Sequence, residues 1–219
     1  MALAQNLENK IRGFFQAYGP TKLKAVLWDK EFDSGRWDCL VSSQGDLVYP
    51  YIEEYAKQGY ILDLGCGSGS TACELSPAAY EGYTGVDISH VAIEKAQLRT
   101  EEAGRGAKTT FAQGDIYSYV PTRQFDVILF RDSIYYIAPA KIQSMLERYS
   151  CYLAPNGVLI ARMWCITGKY KSIVDIIENS FDIVVKCSLD KKGTGVLVFR
   201  ARPGVAAERN TTAAGAVVK

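Results

Sequence analysis

Tyr60-Ile61-Leu62-Asp63-Leu64-Gly65-Cys66-Gly67-Ser68-Gly69-Ser70 decides how this chain folds. Its first five residues set apolar side chains around a single Asp and read as a short buried strand. Three glycines at alternate positions then end the strand. Such a turn reaches positive φ and keeps side chains out of the way, so a ligand can approach the backbone closely. Ser70-Thr71-Ala72-Cys73-Glu74-Leu75 follows as the start of a helix, with Ser70 or Thr71 as its cap. Strand, glycine turn and helix N-terminus together form a nucleotide-type site, in which free N–H groups face the ligand.

A glycine turn of this kind also occurs with no ligand at all. The next strand supplies the missing half. Tyr83-Thr84-Gly85-Val86-Asp87-Ile88 is apolar and ends in an acid, and Asp87 lies 20 residues beyond Gly67. One βαβ step covers that distance. It brings a carboxylate to the neighbouring strand tip, where it accepts both hydroxyls of a ribose. A dinucleotide fold asks for its third glycine at position 70. Here that position is Ser70 and the third glycine is Gly69. The phosphate-cradling G-x-x-x-x-G-K-[ST] pattern is absent.

With these residues in place, the chain resembles the class I S-adenosylmethionine-dependent methyltransferases. Ile61 to Gly69 is similar to the family's first motif, and Gly85-Val86-Asp87-Ile88-Ser89 to its second, which holds the ribose-binding acid. Gly114-Asp115-Ile116 resembles the third motif, beside the adenine. Phe125 to Phe130 resembles the fourth strand, and Leu153 to Gly157, before Val158-Leu159-Ile160, the entry to the fifth. The matches run in order over roughly residues 45 to 200 and do not name a substrate. The resemblance implies an α/β Rossmann-like fold: a seven-stranded, mostly parallel sheet with a C-terminal antiparallel hairpin and helices on both faces. It also implies S-adenosylmethionine as cofactor; the absence of nucleic-acid signals and of a second domain favours a small-molecule acceptor, methylated at oxygen or nitrogen.

Site residues carry over position by position. Gly65, Cys66 and Gly67 offer backbone contact to the methionine part and the ribose. Asp87 takes the ribose, Ile88 lies against the adenine, and Asp115 accepts from the adenine amino group with the Ile116 N–H beside it. Asp63 either caps nearby loop N–H groups or meets the cofactor ammonium, directly or through water. The tip of the fourth strand, Phe130-Arg131-Asp132-Ser133-Ile134-Tyr135-Tyr136, lies beside the sulfonium and the acceptor. Arg131 is grouped with the cofactor-binding residues. Asp132 is a candidate base or a binder of a cationic acceptor. Tyr135 and Tyr136 are candidates to orient the acceptor by hydrogen bond or ring face, or else pack in the core. The Asn/Asp-Pro-Pro-aromatic sequence of exocyclic-amine DNA methylases is absent here, which argues against a flipped base.

Length and composition bound the rest. The 219 residues suffice for one α/β domain. A net charge of +1, without a Lys/Arg run, gives no long-range pull on nucleic acid or anionic membrane. Six scattered cysteines and one histidine form no C-x-x-C and no zinc set, so no metal is expected. The cysteines read as buried free thiols in a reducing cytoplasm. Neither a signal peptide nor a membrane span is visible.

Three segments are expected from the domain plan: 1–42 as N-terminal helix and aromatic lid, 43–202 as the cofactor-binding domain, and 203–219 as a disordered tail. Residues 3–18 read as an amphipathic helix packed by Leu3, Leu7, Ile11, Phe14, Phe15 and Tyr18, and ended by Gly19-Pro20. Leu27 to Asp38 reads as an aperiodic polar loop carrying Trp28 and Trp37, which either close over cofactor and substrate or simply dock. A helix is expected over 43–58. The Asp190-Lys191-Lys192-Gly193 connection is too short for a crossover, so the last two strands must be antiparallel. His90 reads as a surface or cofactor-adjacent residue at a helix start. Arg162, Trp164 and Cys165 are placed at the substrate mouth. Two alternatives stay open: an NAD-dependent oxidoreductase, and a non-catalytic subunit that binds S-adenosylmethionine or another nucleoside.

Overall fold

The computed structural model describes residues 11–37, 45–188 and 193–202. The expectations for the first ten residues, for Cys39, for the hairpin connection at 190–192 and for the tail from Pro203 fall outside them. Seven strands form one sheet: β1 (Tyr60–Leu64), β2 (Gly82–Asp87), β3 (Thr109–Gln113), β4 (Phe125–Arg131), β5 (Leu153–Met163), β6 (Phe181–Ser188) and β7 (Gly195–Ala201). Their order is β3-β2-β1-β4-β5-β7-β6. The first five are mutually parallel; β7 runs antiparallel to both β5 and β6. A sheet closed in this way has no further parallel crossover at that edge, in line with the resemblance.

Alternation in the strands divides the core. Leu62, Phe130 and Leu159 face one side, where α6 (Pro139–Ser150) and α7 (Lys171–Ser180) cover them through Leu146 and Ile177. Ile61, Leu129 and Ile160 face the other, against Tyr49 and Ile52 of α3 (Tyr49–Ala56). Both faces are buried, so the strands read as apolar runs rather than as alternating ones. Strand order reverses between β1, with β2 on one side, and β4 on the other. The crevice beyond the strand tips at such a reversal is where ligands bind in open α/β sheets.

Three helices lie around that crevice: a helical segment at 11–18 (α1), α2 (Thr21–Asp33), and α5 (His90–Glu102) behind β2. Ser89 caps α5, its side chain accepting from the Ala92 N–H at 3.1 Å. The short α4 (Ser70–Glu74) differs from expectation. Its N-cap is Gly69, at φ 77°, and no side chain caps it. Glycine takes that left-handed position without strain, so Ser70 becomes the first helical residue.

The N-terminal region corrects the sequence reading in three ways. Residues 21–33, placed partly in an aperiodic loop, form the helix α2, which buries Glu31 and Phe32. An acid inside a helical face hid its period. The segment 45–48 is a turn, not helix: the Asp46 carboxylate accepts from the Val48 N–H at 3.1 Å and Pro50 stands in the first turn of α3, leaving Leu47 exposed. In α1 the apolar residues Ile11, Phe14, Phe15 and Tyr18 are exposed, while Gln16 is buried. The polar face turns inward because Arg12 pairs with the buried Glu31 at 2.9 Å. Among the described cysteines all five are free, but only Cys66 is buried.

Candidate functional site

A cavity of about 640 Å³ opens beyond the strand tips. It extends from the glycine turn to the end of β4 and is roofed by α1 and α2. Gly65, Cys66 and Gly67 form part of its floor. Gly65 has φ 86°, and a Cβ there would lie 2.4 Å from the Ser133 Cβ. Only glycine fits that position, where the β1 turn passes under the β4 tip. The Ser133 hydroxyl donates to the Leu64 carbonyl at 2.5 Å, tying the two tips together. Arg99 of α5 donates to the Ser68 carbonyl at 2.6 Å and holds the turn from the other side.

Asp87 lies in the cavity wall at the tip of β2. One carboxylate oxygen accepts from the Gly67 N–H at 3.0 Å and the other from the Ser89 N–H at 2.9 Å. Burial pushes its carboxyl up to about 6, against the downward pull of those two N–H groups. Ile88, Asp115 and Ile116 continue the same wall. The Asp115 carboxylate is already engaged: it accepts from the Tyr117 N–H at 2.9 Å and the Thr21 hydroxyl at 3.1 Å, and pairs with Lys24 at 3.1 Å. Burial raises the Asp115 carboxyl, but these contacts outweigh it and hold the group below its usual value.

Asp63 is not in the cavity wall. It is 1% exposed and accepts from the Tyr83 hydroxyl at 2.5 Å, and its other oxygen has no hydrogen-bond donor among the described residues. Burial pushes its carboxyl to about 6, with Tyr83 and the Arg131 charge pulling it down. A buried, unpaired acceptor behind a glycine floor fits a cofactor that brings an ammonium group.

The β4 tip carries a charge network that the sequence did not announce. Asp46 receives Arg131 at 2.9 Å and Arg162 at 3.4 Å, and Arg162 also pairs with Asp132. Nothing in the sequence around Asp46 marked it as a partner of residues 85 and 116 positions away. Asp132 sits at φ 55°, a strained value for a non-glycine, and its N–H donates to the Arg162 carbonyl at 2.9 Å. Burial raises its carboxyl above the usual value, partly opposed by Arg162 and Arg131. Its side chain also accepts from the Tyr135 hydroxyl at 3.3 Å. Burial raises the phenols of Tyr135 and Tyr136 far above their ordinary value. Both are therefore neutral hydrogen-bond donors near neutral pH, not bases.

Trp28 and Trp37 both line the cavity, Trp28 from α2. The Trp28 ring meets Tyr136 edge-on at 4.7 Å. α2 is fastened at both ends. Thr21 and Lys24 hold Asp115, and Asp29 accepts from the Ser89 hydroxyl at 2.7 Å. Arg162 and Trp164 reach the wall as expected; Cys165 does not. His90 is largely exposed, pairs with Glu94 at 3.1 Å and stays outside the cavity. Glu31, flanked by Arg12 at 2.9 Å and Arg36 at 3.0 Å, is a buried wall residue that sequence reasoning passed over.

A family model described as a methyltransferase domain matches residues 61–157. Nodulation protein S of Bradyrhizobium diazoefficiens is 31% identical over 161 residues, covering 68% of this chain and 75% of that protein. The chain belongs to the class I S-adenosylmethionine-dependent methyltransferases. The cofactor of this family is S-adenosylmethionine. The mRNA cap guanine-N(7) methyltransferase of Schizosaccharomyces pombe is 30% identical over 169 residues, 71% of this chain but 45% of that protein. The chain spans about half the length of the first curated relatives it matches. In fold, this methyltransferase superposes on the N-methyltransferase NodS from Bradyrhizobium japonicum, solved with S-adenosyl-L-homocysteine. The TM-score is 0.57 and the identity 19%, over 78% of this chain and 87% of that one.

No helix among the described residues is long and apolar enough to cross a membrane.

Proposed function

We propose that this methyltransferase transfers a methyl group to an oxygen or nitrogen of a small-molecule acceptor held in the same cavity as the cofactor. One observation carries the reading: the cavity is continuous from the glycine turn and Asp87 to the aromatic residues at the β4 tip. S-adenosylmethionine supplies a methyl group on a sulfonium, open to in-line displacement. In this proposal Asp87 holds the ribose, Gly65 to Gly67 offer backbone contact, Ile88 and Ile116 flank the adenine with Asp115 beside it, and Asp63, behind the glycine floor, attracts the ammonium by its charge. Arg131, with Asp46, fixes the β4 tip. Tyr136 orients the acceptor as a donor, and Tyr135, whose one hydroxyl proton goes to Asp132, offers its ring face and its oxygen as an acceptor, with Asp132, tied to Arg162, positioning it. Alignment and exclusion of water supply most of the rate enhancement such a site can give.

Residues 11–37 act as a lid in this reading, with Trp28 and Trp37 on its inner side, over a cofactor-binding domain at 43–202. The tail from 203 has no part in it. A nucleic-acid acceptor, as in the name of the yeast cap relative, fits less well, since the net charge is +1 and no basic run is present. Free cysteines support a cytoplasmic setting.

The test is formation of S-adenosyl-L-homocysteine from S-adenosylmethionine by the purified chain. Phenols, carboxylic acids, primary amines and a cap analogue would be offered in parallel. Turnover above the acceptor-free rate with a small phenol, acid or amine is expected. Turnover with the cap analogue alone, or with no acceptor, would contradict the proposal.

A further inference from the structure

Six rings line one side of the cavity in unbroken contact. Trp37 lies 5.9 Å from Trp28, and Trp28 4.7 Å from Tyr136. Tyr136 lies 4.9 Å from Tyr135, Tyr135 stacks on Tyr170 at 4.4 Å, and Tyr170 meets Trp164 at 5.6 Å. All six are cavity-wall residues. A wall of this kind accepts a flat ring by stacking or edge contact. It would equally attract a cation, so the charges around it decide.

Those charges favour an anion. The two acids beside the rings are already neutralised: Glu31 by Arg12 and Arg36, and Asp132 by Arg162. At the Trp164 end a cation already occupies the ring faces. The Lys169 ammonium lies 4.9 Å from the Tyr170 centroid and 5.5 Å from that of Trp164. Lys169 has no carboxylate partner among the described residues. A second cation there would be repelled, whereas an anion would gain its first partner. Two buried donors of wall residues, Trp37 Nε1 and Arg162 Nε, also find no acceptor among the described residues. A buried donor left unpaired is costly, and an oxygen-bearing ligand relieves it.

We propose that the acceptor is an aromatic carboxylate, its ring against the Trp28–Tyr136–Tyr135–Tyr170 wall and its carboxylate at the Lys169 and Arg162 end. This deepens the methyl-transfer reading and rests on it.

The experiment uses the whole chain, with and without saturating S-adenosyl-L-homocysteine. Benzoate, benzamide, benzylamine and cyclohexanecarboxylate are titrated by calorimetry. The chain has three tryptophans, and all three are in the wall, so their emission reports its occupancy. Benzoate is expected to bind about tenfold more tightly than the other three, the scale of one charge-assisted contact, and to change the emission. Lys169→Gln, at an exposed position, is expected to bring benzoate down to the level of benzamide and leave the affinity for S-adenosyl-L-homocysteine unchanged. Tightest binding of benzylamine, equal binding of benzoate and benzamide, equal binding of benzoate and cyclohexanecarboxylate, or no binding of benzoate would each overturn the proposal. The titration with S-adenosyl-L-homocysteine reports separately on the methyl-transfer reading. Its failure, with benzoate still preferred, would sink that reading and leave the anion-binding wall standing.

Discussion

The backbone N–H of Gly67 donates to the Asp87 carboxylate at 3.0 Å, joining the glycine turn to the tip of the next strand. The turn is thereby fixed to the acid that the proposed mechanism assigns to the ribose. With the second oxygen held by the Ser89 N–H, the carboxylate is oriented before any ligand arrives. Such preorganisation lowers the cost of binding.

Asp87→Ala removes the acceptor and leaves the N–H groups of Gly67 and Ser89 unpaired. The affinity for S-adenosyl-L-homocysteine is expected to fall about tenfold or more, by the loss of hydrogen bonds to a charged group. Calorimetry on a variant shown by circular dichroism to be folded checks this. Unchanged affinity would remove Asp87 from the ribose site.

Burial raises the Asp87 carboxyl to about 6 in the free protein, above its unfolded value. A raised acid binds protons more readily folded than unfolded. It therefore costs stability above about pH 6, and that cost fades as pH falls toward 4. Ribose hydroxyls donate to the ionised form, so ligand binding must expel the proton. The affinity for S-adenosyl-L-homocysteine should level off above about pH 7 and weaken as pH falls through 6. Asp63, also raised to about 6 by burial, shifts the curve the same way because an ammonium favours its charged form. Titrations in two buffers of different ionisation enthalpy would register proton release near pH 6. A flat profile with no proton release would contradict these assignments.

Asp46 is the shared counter-ion of Arg131 and Arg162, and its side chain is nearly buried. Removing one partner from a largely buried network leaves charge uncompensated. Partial exposure of the two arginines softens that penalty, so Asp46→Ala is expected to cost about 2 kcal/mol. For a domain of this size that lowers Tm by about 4–8 °C. Since Arg162 also holds Asp132, acceptor KM should rise more than the Kd for S-adenosyl-L-homocysteine. Thermal melts and steady-state kinetics separate the two. An unchanged Tm would deny the network a structural role.

The glycine turn and the β2 tip were readable from sequence because local patterns encode them. The glycine turn and the acid one βαβ step later each depend on residues close in the chain, and each appears where expected. The antiparallel end of the sheet was readable for the same reason, since a short connection leaves no room for a crossover. The half around the β4 tip was readable in part: Trp28, Trp37, Asp132, Tyr135, Tyr136, Arg162 and Trp164 line the cavity, but the charges that hold them were not foreseen. Glu31 and Asp46 acquire their roles from arginines that only the folded chain brings near. α2 read as a loop because its inward face carries a buried acid, and α1 read inside out because its polar side faces the cavity. Helical periodicity finds apolar faces, and here two helices turn charge toward a binding site.

The most direct test is calorimetric titration of the whole chain with S-adenosyl-L-homocysteine and, separately, with NAD. One molecule of S-adenosyl-L-homocysteine bound per chain, with no heat of binding from NAD, is the expected result. Binding of NAD in its place, or of neither ligand, would contradict the methyl-transfer account.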